Sequence, residues 1–236
     1  MSIKRMGSDI KELQDPLYSS MGIYYVCNES VITTGYACIF GPPDTPYEDC
    51  PMFYEFTIPS DFPFVPPKVE FKTYDGLTRF HPNMYREGKV CLSILHTWNG
   101  PKWASTMRIS TVLVTLQSIL DESPLRHEPG YENGNHEILE VYAKFTEVAC
   151  IRYILDRAEA HIEKKVQPEL FPYFQTVFLE RLPATLERLE KRLNLLIEKG
   201  ERYFLNLPYQ LQGQSGYKKL LDRVVKLKMV FNLSLR

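Results

Sequence analysis

Apolar side chains recur at two different spacings along this chain, and the change of spacing predicts where strands give way to helices. Met52–Ile58 alternates apolar and polar residues, the period of a strand with one buried face. Further strands are predicted at Ile23–Cys27, Val31–Phe40 and Val69–Lys72. A short helix with one apolar side, Ile3–Gln14, is predicted before them.

Helical spacing dominates the second half of the chain. Apolar residues three and four positions apart predict helices across Ile109–Leu120 and Ile138–Ala149. Two later stripes, Leu186–Ile197 and Tyr217–Val224, predict two more helices, the first beginning near Pro183. A helix, a group of strands and then helices together indicate an α+β fold.

Composition and cysteine count narrow the class of protein. The 236 residues are 44% apolar, which is enough for a substantial core. The sequence contains neither an apolar run of about eighteen residues nor an N-terminal signal core, so we expect a cytoplasmic protein, with the nucleus as a second location. Five cysteines without a Cys-x-x-Cys pair predict neither a disulfide framework nor a metal site.

The charge is distributed unevenly between the two ends. Residues 1–161 hold 14 basic and 21 acidic side chains, whereas residues 162–236 hold 14 basic and 8 acidic ones. A basic segment can meet nucleic acid, a membrane or an acidic protein surface. Here the basic residues are interleaved with Glu and Leu at helical spacing, so we expect a solvated helix face and neither nucleic acid nor membrane as a partner.

The loop predicted for residues 82–108 contains the strongest candidate for chemistry. Cys91 lies eight positions after Asn83, and Pro82 stiffens the corner on which Asn83 sits. A cysteine is a nucleophile as its thiolate, and a side-chain amide can donate a hydrogen bond to a developing oxyanion. The spacing therefore predicts a nucleophile with an amide donor beside it.

This arrangement resembles the active-site signature of the ubiquitin-conjugating enzymes. Three upstream motifs occur in that family's order and approximate spacing: Gly41-Pro42, Asp44-Thr45-Pro46-Tyr47-Glu48 and Phe62-Pro63-Phe64-Val65-Pro66-Pro67-Lys68-Val69. The resemblance implies a catalytic domain over residues 1–161, with an N-terminal helix, a four-stranded antiparallel meander, an active-site loop and C-terminal helices. Residues 162–236 would form a helical extension.

The resemblance also assigns roles to the motif. Cys91 would accept ubiquitin or a ubiquitin-like modifier as a thioester from an activating enzyme and pass it to a lysine amine or a ligase. Asn83 would stabilise the tetrahedral intermediate, or would hold the loop by bonding its backbone. His81 and Pro82 are expected to be structural. ATP would be used by the activating enzyme, so no cofactor is expected in this chain.

The acceptor side departs from the common pattern of the family. Many relatives carry an Asp that orients the attacking lysine where this chain has Ser123. Asp121 or Glu122 could supply the charge instead, or Ser123 could simply cap a turn. The residues that are expected to line the pocket are Tyr85, Leu92, Ser93 and Leu125.

Contacts with partner proteins are also implied by the resemblance. Lys4 and Arg5 on the first helix, with Phe64 and Ala104 on two loops, are expected to contact the activating enzyme or a ligase. Phe64 could instead pack in the core. The sequence Trp103-Ala104-Ser105-Thr106 lacks the proline of the usual Trp-Ser-Pro-Ala, which puts binding of common RING ligases in question.

Two further features suggest a branch of the family. Trp103 follows Cys91 by twelve positions rather than the usual eight, and the added segment is a loop beside the thiol. With residues 128–132 and the helical extension, this pattern resembles the class Z branch, which accepts ubiquitin and a tandem ubiquitin-like modifier. The alternative is a scaffold or ubiquitin-binding module whose tail recruits partners.

Overall fold

A computed structural model describes residues 3–165 and 171–234 of the chain, and the side chains of residues 4–165 and 171–231. In chain order its helices and strands are α1 (Ile3–Glu12), α2 (Pro16–Ser20), β1 (Ile23–Cys27), β2 (Thr34–Phe40), β3 (Pro51–Thr57), β4 (Lys68–Phe71), α3 (Ile109–Ser118), α4 (His136–Ile162), α5 (Phe171–Glu198), β5 (Tyr203–Leu207), β6 (Leu211–Gln214) and α6 (Tyr217–Ser234). Short 3-10 helices occur at Ser93–Leu95, Pro124–His127 and Pro208–Gln210.

Strands β1 to β4 form an antiparallel meander in which each strand pairs with the next. Tyr54 at the centre of β3 lies opposite Ala37 of β2 and Phe71 of β4. The predicted stripe Met52, Tyr54 and Phe56 is fully buried. The α+β class and the four-stranded antiparallel meander are therefore confirmed.

The start of β2 differs from the prediction. The strand begins at Thr34 rather than Val31, because the Asn28 side chain accepts hydrogen bonds from the N–H groups of Ser30 and Val31 and turns the chain there. Val31 is left exposed in that turn. An asparagine that binds the backbone two residues on competes with strand pairing, and here the turn prevails.

Strand β3 is buried on both of its faces. Phe53, which points away from the Tyr54 side, packs against Phe174 of α5 with ring centroids 5.9 Å apart and against Phe171 at 6.3 Å. Tyr36 of β2 meets Tyr173 of the same helix at 4.5 Å. Helix α5 thus covers the outer face of the sheet.

Pro183 lies inside α5 and not near its beginning, which corrects the prediction. Upstream of the proline, Phe171, Phe174, Phe178 and Leu182 continue the buried stripe of the leucine-rich segment. Their burial stabilises helix on the N-terminal side of Pro183, although the proline removes one backbone hydrogen bond.

Within the described ranges, the extension holds two long helices and a hairpin that was not predicted. Strands β5 and β6 pair around the 3-10 helix Pro208–Gln210. The buried residues of β5, Phe204 and Leu207, lie three positions apart across an irregularity in the strand pairing, so the run lacks the period of two that would indicate a strand. None of the helices in the described parts of the chain is both long and apolar enough to cross a membrane.

Ion pairs fasten the extension to the rest of the molecule. The buried carboxylate of Asp49 binds Arg188 at 2.5 Å and Arg181 at 3.3 Å, both from α5. Arg223 of α6 pairs with Asp156 and Glu159 of α4 at 2.6 and 2.8 Å. The extension also shares one hydrophobic core with the catalytic segment. The division at residues 161 and 162 remains a prediction about domains, but the two parts are in extensive contact.

Candidate active site

Residues 81–91 fold back on themselves, so that Asn83 and Cys91 become neighbours. The Cys91 N–H donates to the Asn83 carbonyl at 2.8 Å. In the opposite direction, Asn83 Nδ2 donates to the Cys91 carbonyl at 2.7 Å. Asn83 therefore binds Cys91 through its backbone and through its side chain, which is one of the two roles predicted for it.

The Asn83 amide retains capacity for a second role. A primary amide nitrogen carries two hydrogens, and the hydrogen bond to Cys91 uses one of them. The buried Oδ1 atom has no hydrogen-bond partner among the described residues. The amide is consequently oriented by one donor bond, and its other N–H can serve an oxyanion that forms at Cys91.

His81 is held as a neutral structural residue. Its Nδ1 atom accepts a hydrogen bond from the Asn83 N–H at 3.0 Å, and Nε2 lies 2.9 Å from the Ile119 carbonyl. These partners require the proton on Nε2. Burial, reinforced by nearby His127, lowers the pKa of His81 to about 3. The ring is thus neutral at neutral pH, with one N–H on Nε2, and it orients the Asn83 backbone.

The Cys91 side chain is surrounded by protein, with the residue 2% exposed. Thr97, in the inserted loop, fixes the backbone on both sides of it: its hydroxyl lies 2.7 Å from the Val90 carbonyl and accepts the Leu92 N–H at 2.9 Å. Sequence reasoning placed this loop beside the thiol but missed the role of Thr97. No sequence signal distinguishes this threonine from others.

The other cysteines are poorly suited to act as nucleophiles. Burial raises the pKa of Cys27, Cys38 and Cys150, which disfavours their thiolates. Cys50 is completely buried in the core. That Cys91 is the reactive thiol stays a prediction, and what sets Cys91 apart is the Asn83 side chain bonded to its carbonyl.

In the loop that contains Asp121 and Ser123, the side chain that is fixed by hydrogen bonds is that of Asp121 and not that of Ser123. Asp121 binds His127 Nε2 at 2.7 Å through Oδ2 and accepts the Ser123 N–H at 2.9 Å through Oδ1. Burial alone would raise the pKa of Asp121, but these hydrogen bonds and the His127 charge lower it. The carboxylate is therefore ionised at neutral pH, and His127 lies 5.0 Å from the His81 ring.

Ser123 lies at the start of the 3-10 helix Pro124–His127, where its carbonyl accepts the Arg126 N–H at 3.0 Å. It also lines a cleft of about 740 Å³ between α4, α5 and the loop around Asp44. Among the described residues its hydroxyl makes no capping hydrogen bond. Ser123 is thus a partly exposed residue at the edge of this cleft, and its role towards an acceptor lysine stays a prediction.

The predicted pocket residues differ in exposure. Leu92 and Leu125 are buried, whereas Ser93 and Tyr85 are partly exposed. The Tyr85 ring contacts two cations, the Arg79 guanidinium at 3.8 Å from its centroid and Lys89 Nζ at 5.4 Å. Arg79 was not predicted from the sequence, since an arginine in a loop has many solvated alternatives.

Two of the predicted partner contacts, Phe64 and Ala104, lie on loops that touch one another. The Trp103 indole donates to the Pro63 carbonyl at 2.7 Å, which joins the loop of Phe64 to that of Ala104. Phe64 is 79% exposed, so its core-packing alternative is wrong. Lys4 and Ala104 are also exposed.

Arg5 is not the exposed residue that was predicted. Its guanidinium pairs with buried Asp9 at 2.9 Å and donates to the Ser105 carbonyl at 3.2 Å. The Asp9 carboxylate and the Ser105 carbonyl thus bind the Arg5 guanidinium within the chain itself. Arg5 therefore fastens α1 to the loop after Trp103.

Comparison with known proteins identifies the family. The sequence profile described as "Ubiquitin-conjugating enzyme" matches residues 5–150, which is more than half of the chain. The chain belongs to the ubiquitin-conjugating enzyme family. The matched range includes the whole of the Asn83 and Cys91 site.

Among members of the ubiquitin-conjugating enzyme family, human "Ubiquitin-conjugating enzyme E2 Z" is 46% identical over 116 residues, 49% of this chain and 33% of that protein. Human "Dual E2 ubiquitin-conjugating enzyme/E3 ubiquitin-protein ligase BIRC6" is 43% identical over 125 residues, 50% of this chain and 3% of that protein. The matches therefore span a third or less of these two relatives.

A solved structure of a family member gives a related match. The E2 domain of a Toxoplasma gondii ubiquitin-conjugating enzyme is 25% identical and aligns with a TM-score of 0.47 over 63% of this chain and 98% of that chain.

Proposed function

We propose that this protein is a ubiquitin-conjugating enzyme that carries ubiquitin or a ubiquitin-like modifier as a thioester on Cys91. The observation that supports this most directly is the Asn83 amide bound to the Cys91 carbonyl at 2.7 Å. It puts an oriented amide beside a lone candidate nucleophile. The similarity to E2 Z agrees with the proposal and favours the class Z branch.

Loading would be a thiol exchange. The Cys91 thiolate attacks the carbonyl carbon of the modifier's thioester on the activating enzyme, a new carbon–sulfur bond forms, and the activating enzyme's thiolate leaves. ATP has already been consumed by the activating enzyme, so this step requires no cofactor in the chain.

Transfer would be aminolysis of the Cys91 thioester. A lysine amine attacks the carbonyl carbon, and the negative charge that develops on oxygen is stabilised by the free N–H of Asn83. Collapse of the intermediate expels the Cys91 thiolate and leaves an isopeptide bond, while the amine loses a proton to solvent. Asp121, ionised beside Ser123, is the group we assign to attracting the lysine.

The partners follow from this chemistry. We assign the activating enzyme and a ligase to the surface around Lys4, Phe64 and Ala104, and protein lysines to the acceptor side. We place the reaction in the cytoplasm and the nucleus. The packing of α5 and α6 on the catalytic segment disfavours the scaffold alternative, because their apolar stripes are already occupied.

Charging with purified activating enzymes and a panel of modifiers tests the proposal. Wild type should form a thioester that reducing agent removes, Cys91→Ser an oxyester that resists it, and Cys91→Ala no adduct. Cys27→Ser, which changes a partly exposed cysteine away from the site, is the matched control and should charge like wild type. Charging of Cys91→Ala would refute the assignment.

A further inference from the structure

The peptide bond between Pro82 and Asn83 is held at both of its polar atoms. Its N–H, on Asn83, donates to His81 Nδ1 at 3.0 Å. Its carbonyl, on Pro82, accepts a hydrogen bond from the Arg79 guanidinium. Since this peptide plane sets the direction of the Asn83 side chain, Arg79 and His81 together orient the amide that faces Cys91.

The Arg79 guanidinium itself contacts two aromatic rings. Its central carbon lies 3.8 Å from the ring centroid of Tyr85, in the active-site loop, and 4.1 Å from that of Tyr209, in the extension. Stacking on two rings restricts a planar guanidinium to one orientation. The C-terminal hairpin thereby contributes a side chain to the support of the active-site loop, more than 100 residues from Asn83 in sequence.

Four contacts fix Tyr209 at this place. Its hydroxyl donates to Glu128 at 2.5 Å, its carbonyl accepts from Arg86 at 3.2 Å, and its ring meets Tyr142 edge-on at 6.1 Å. The fourth contact is the Arg79 stack. The Tyr209 backbone has φ 63° and ψ 23°, the left-handed conformation that costs a bulky residue energy. A strained residue with this many contacts is typical of a functional position.

We propose that Tyr209 is a positioning residue for transfer: by stacking on Arg79 it fixes the Pro82 carbonyl, and so aims the Asn83 amide at the oxyanion on Cys91. This inference rests on the proposed conjugating activity. It assigns to the extension a task in the chemical step, separate from recognition of any partner.

Single-turnover kinetics of the full-length chain test the proposal. Tyr209→Ala should load at nearly the wild-type rate, since thiol exchange depends little on Asn83. Its discharge to free lysine should fall about tenfold at saturating lysine, because a shift of well under 1 Å in a donor is costly, while the lysine concentration for half-maximal rate stays unchanged. Tyr209→Phe keeps the ring and should restore most of the rate.

The control is Tyr203→Ala, a change of the same residue type in the same hairpin at a side chain that is 72% exposed. It should discharge like wild type. If Tyr209→Ala does not fold, Tyr209→Leu, which keeps apolar bulk without the aromatic face, provides the same comparison. Equal loss in loading and discharge, or equal effects of the Tyr203 and Tyr209 substitutions, would overturn the proposal.

Amide hydrogen exchange separates this inference from the proposed function. In Tyr209→Ala the backbone N–H groups of Asn83 and Cys91 should exchange about tenfold faster than in wild type, while the backbone N–H of Tyr54 in the sheet exchanges at an unchanged rate. This readout requires no modifier. If wild type fails to charge but these two amides respond, the conjugating function is wrong and the positioning contact stands. A uniform change, or none, refutes the contact.

Discussion

Replacing Phe174 with alanine should destabilise the whole molecule and not the extension alone. The Phe174 side chain is 2% exposed and stacks on Phe53 of the central strand β3 at 5.9 Å. Removing a buried phenyl ring leaves a cavity and typically costs 3–5 kcal/mol. For a chain of this size we expect a fall in Tm of about 10 °C.

Thermal and urea unfolding, followed by far-UV circular dichroism and by tryptophan fluorescence, measure the effect. Tryptophan reports the catalytic segment, because both tryptophans, Trp98 and Trp103, lie there. Phe174→Ala should shift the two signals together. Leu195→Ala, in the same helix but 54% exposed, is the control and should change the unfolding free energy by less than about 0.5 kcal/mol.

Two results would refute this reasoning. If the fluorescence transition kept its wild-type midpoint while helical signal was lost earlier, the extension would be an independent unit. If Phe174→Ala resembled Leu195→Ala, the ring would not be buried on Phe53. A fragment that ends at Lys165 tests the same interface more severely, because it removes both Phe171 and Phe174 from Phe53.

Two further predictions concern the active-site loop. Asn83→Ala should load at a rate within a few-fold of wild type, yet discharge to lysine about a hundredfold more slowly in single-turnover assays, because it removes an oxyanion donor. Equal losses in the loading and discharge rates would instead indicate that Asn83 mainly holds the loop. The pKa of His81 is about 3 in the folded protein against 6.5 when unfolded. Its contribution to the free energy of unfolding is therefore fully present above pH 6.5 and is lost as the pH falls from 6.5 towards 3. Over that range the free energy of unfolding of wild type, measured in urea, should fall by up to about 1.4 kcal/mol per pH unit more than that of His81→Gln.

The sheet and the main helices could be predicted because local patterns determine them. Helical spacing in Ile109–Leu120 matches the burial that the structure shows. Alternation in Met52–Ile58 predicted the strand correctly but only one buried face, whereas α5 also buries the face that carries Phe53. The course of α5 through Pro183 could not be predicted, because tertiary burial of Phe171 and Phe174 outweighs a local helix breaker. The hairpin β5–β6 was missed for a different reason, because Phe204 and Leu207 lie three positions apart and give no period of two.

At the site, contacts between residues close in sequence could be predicted, and supporting contacts from distant parts of the chain could not. The spacing of Asn83 and Cys91 indicated their proximity, which their mutual hydrogen bonds bear out. The stacking of Tyr209 on Arg79 joins residues 130 positions apart, and their local sequences give no indication of it. Likewise, Asp121 is organised by His127, a partner that only the folded loop brings within reach.

The double-sided burial of β3 also has a consequence for synthesis of the chain. Phe53 is translated 121 positions before Phe174, the residue that covers it. At roughly 5–20 residues per second, the delay is roughly 6–24 s. During that interval a nascent sheet would present an apolar face to solvent, so we expect the growing chain to be a substrate for ribosome-associated chaperones until α5 emerges.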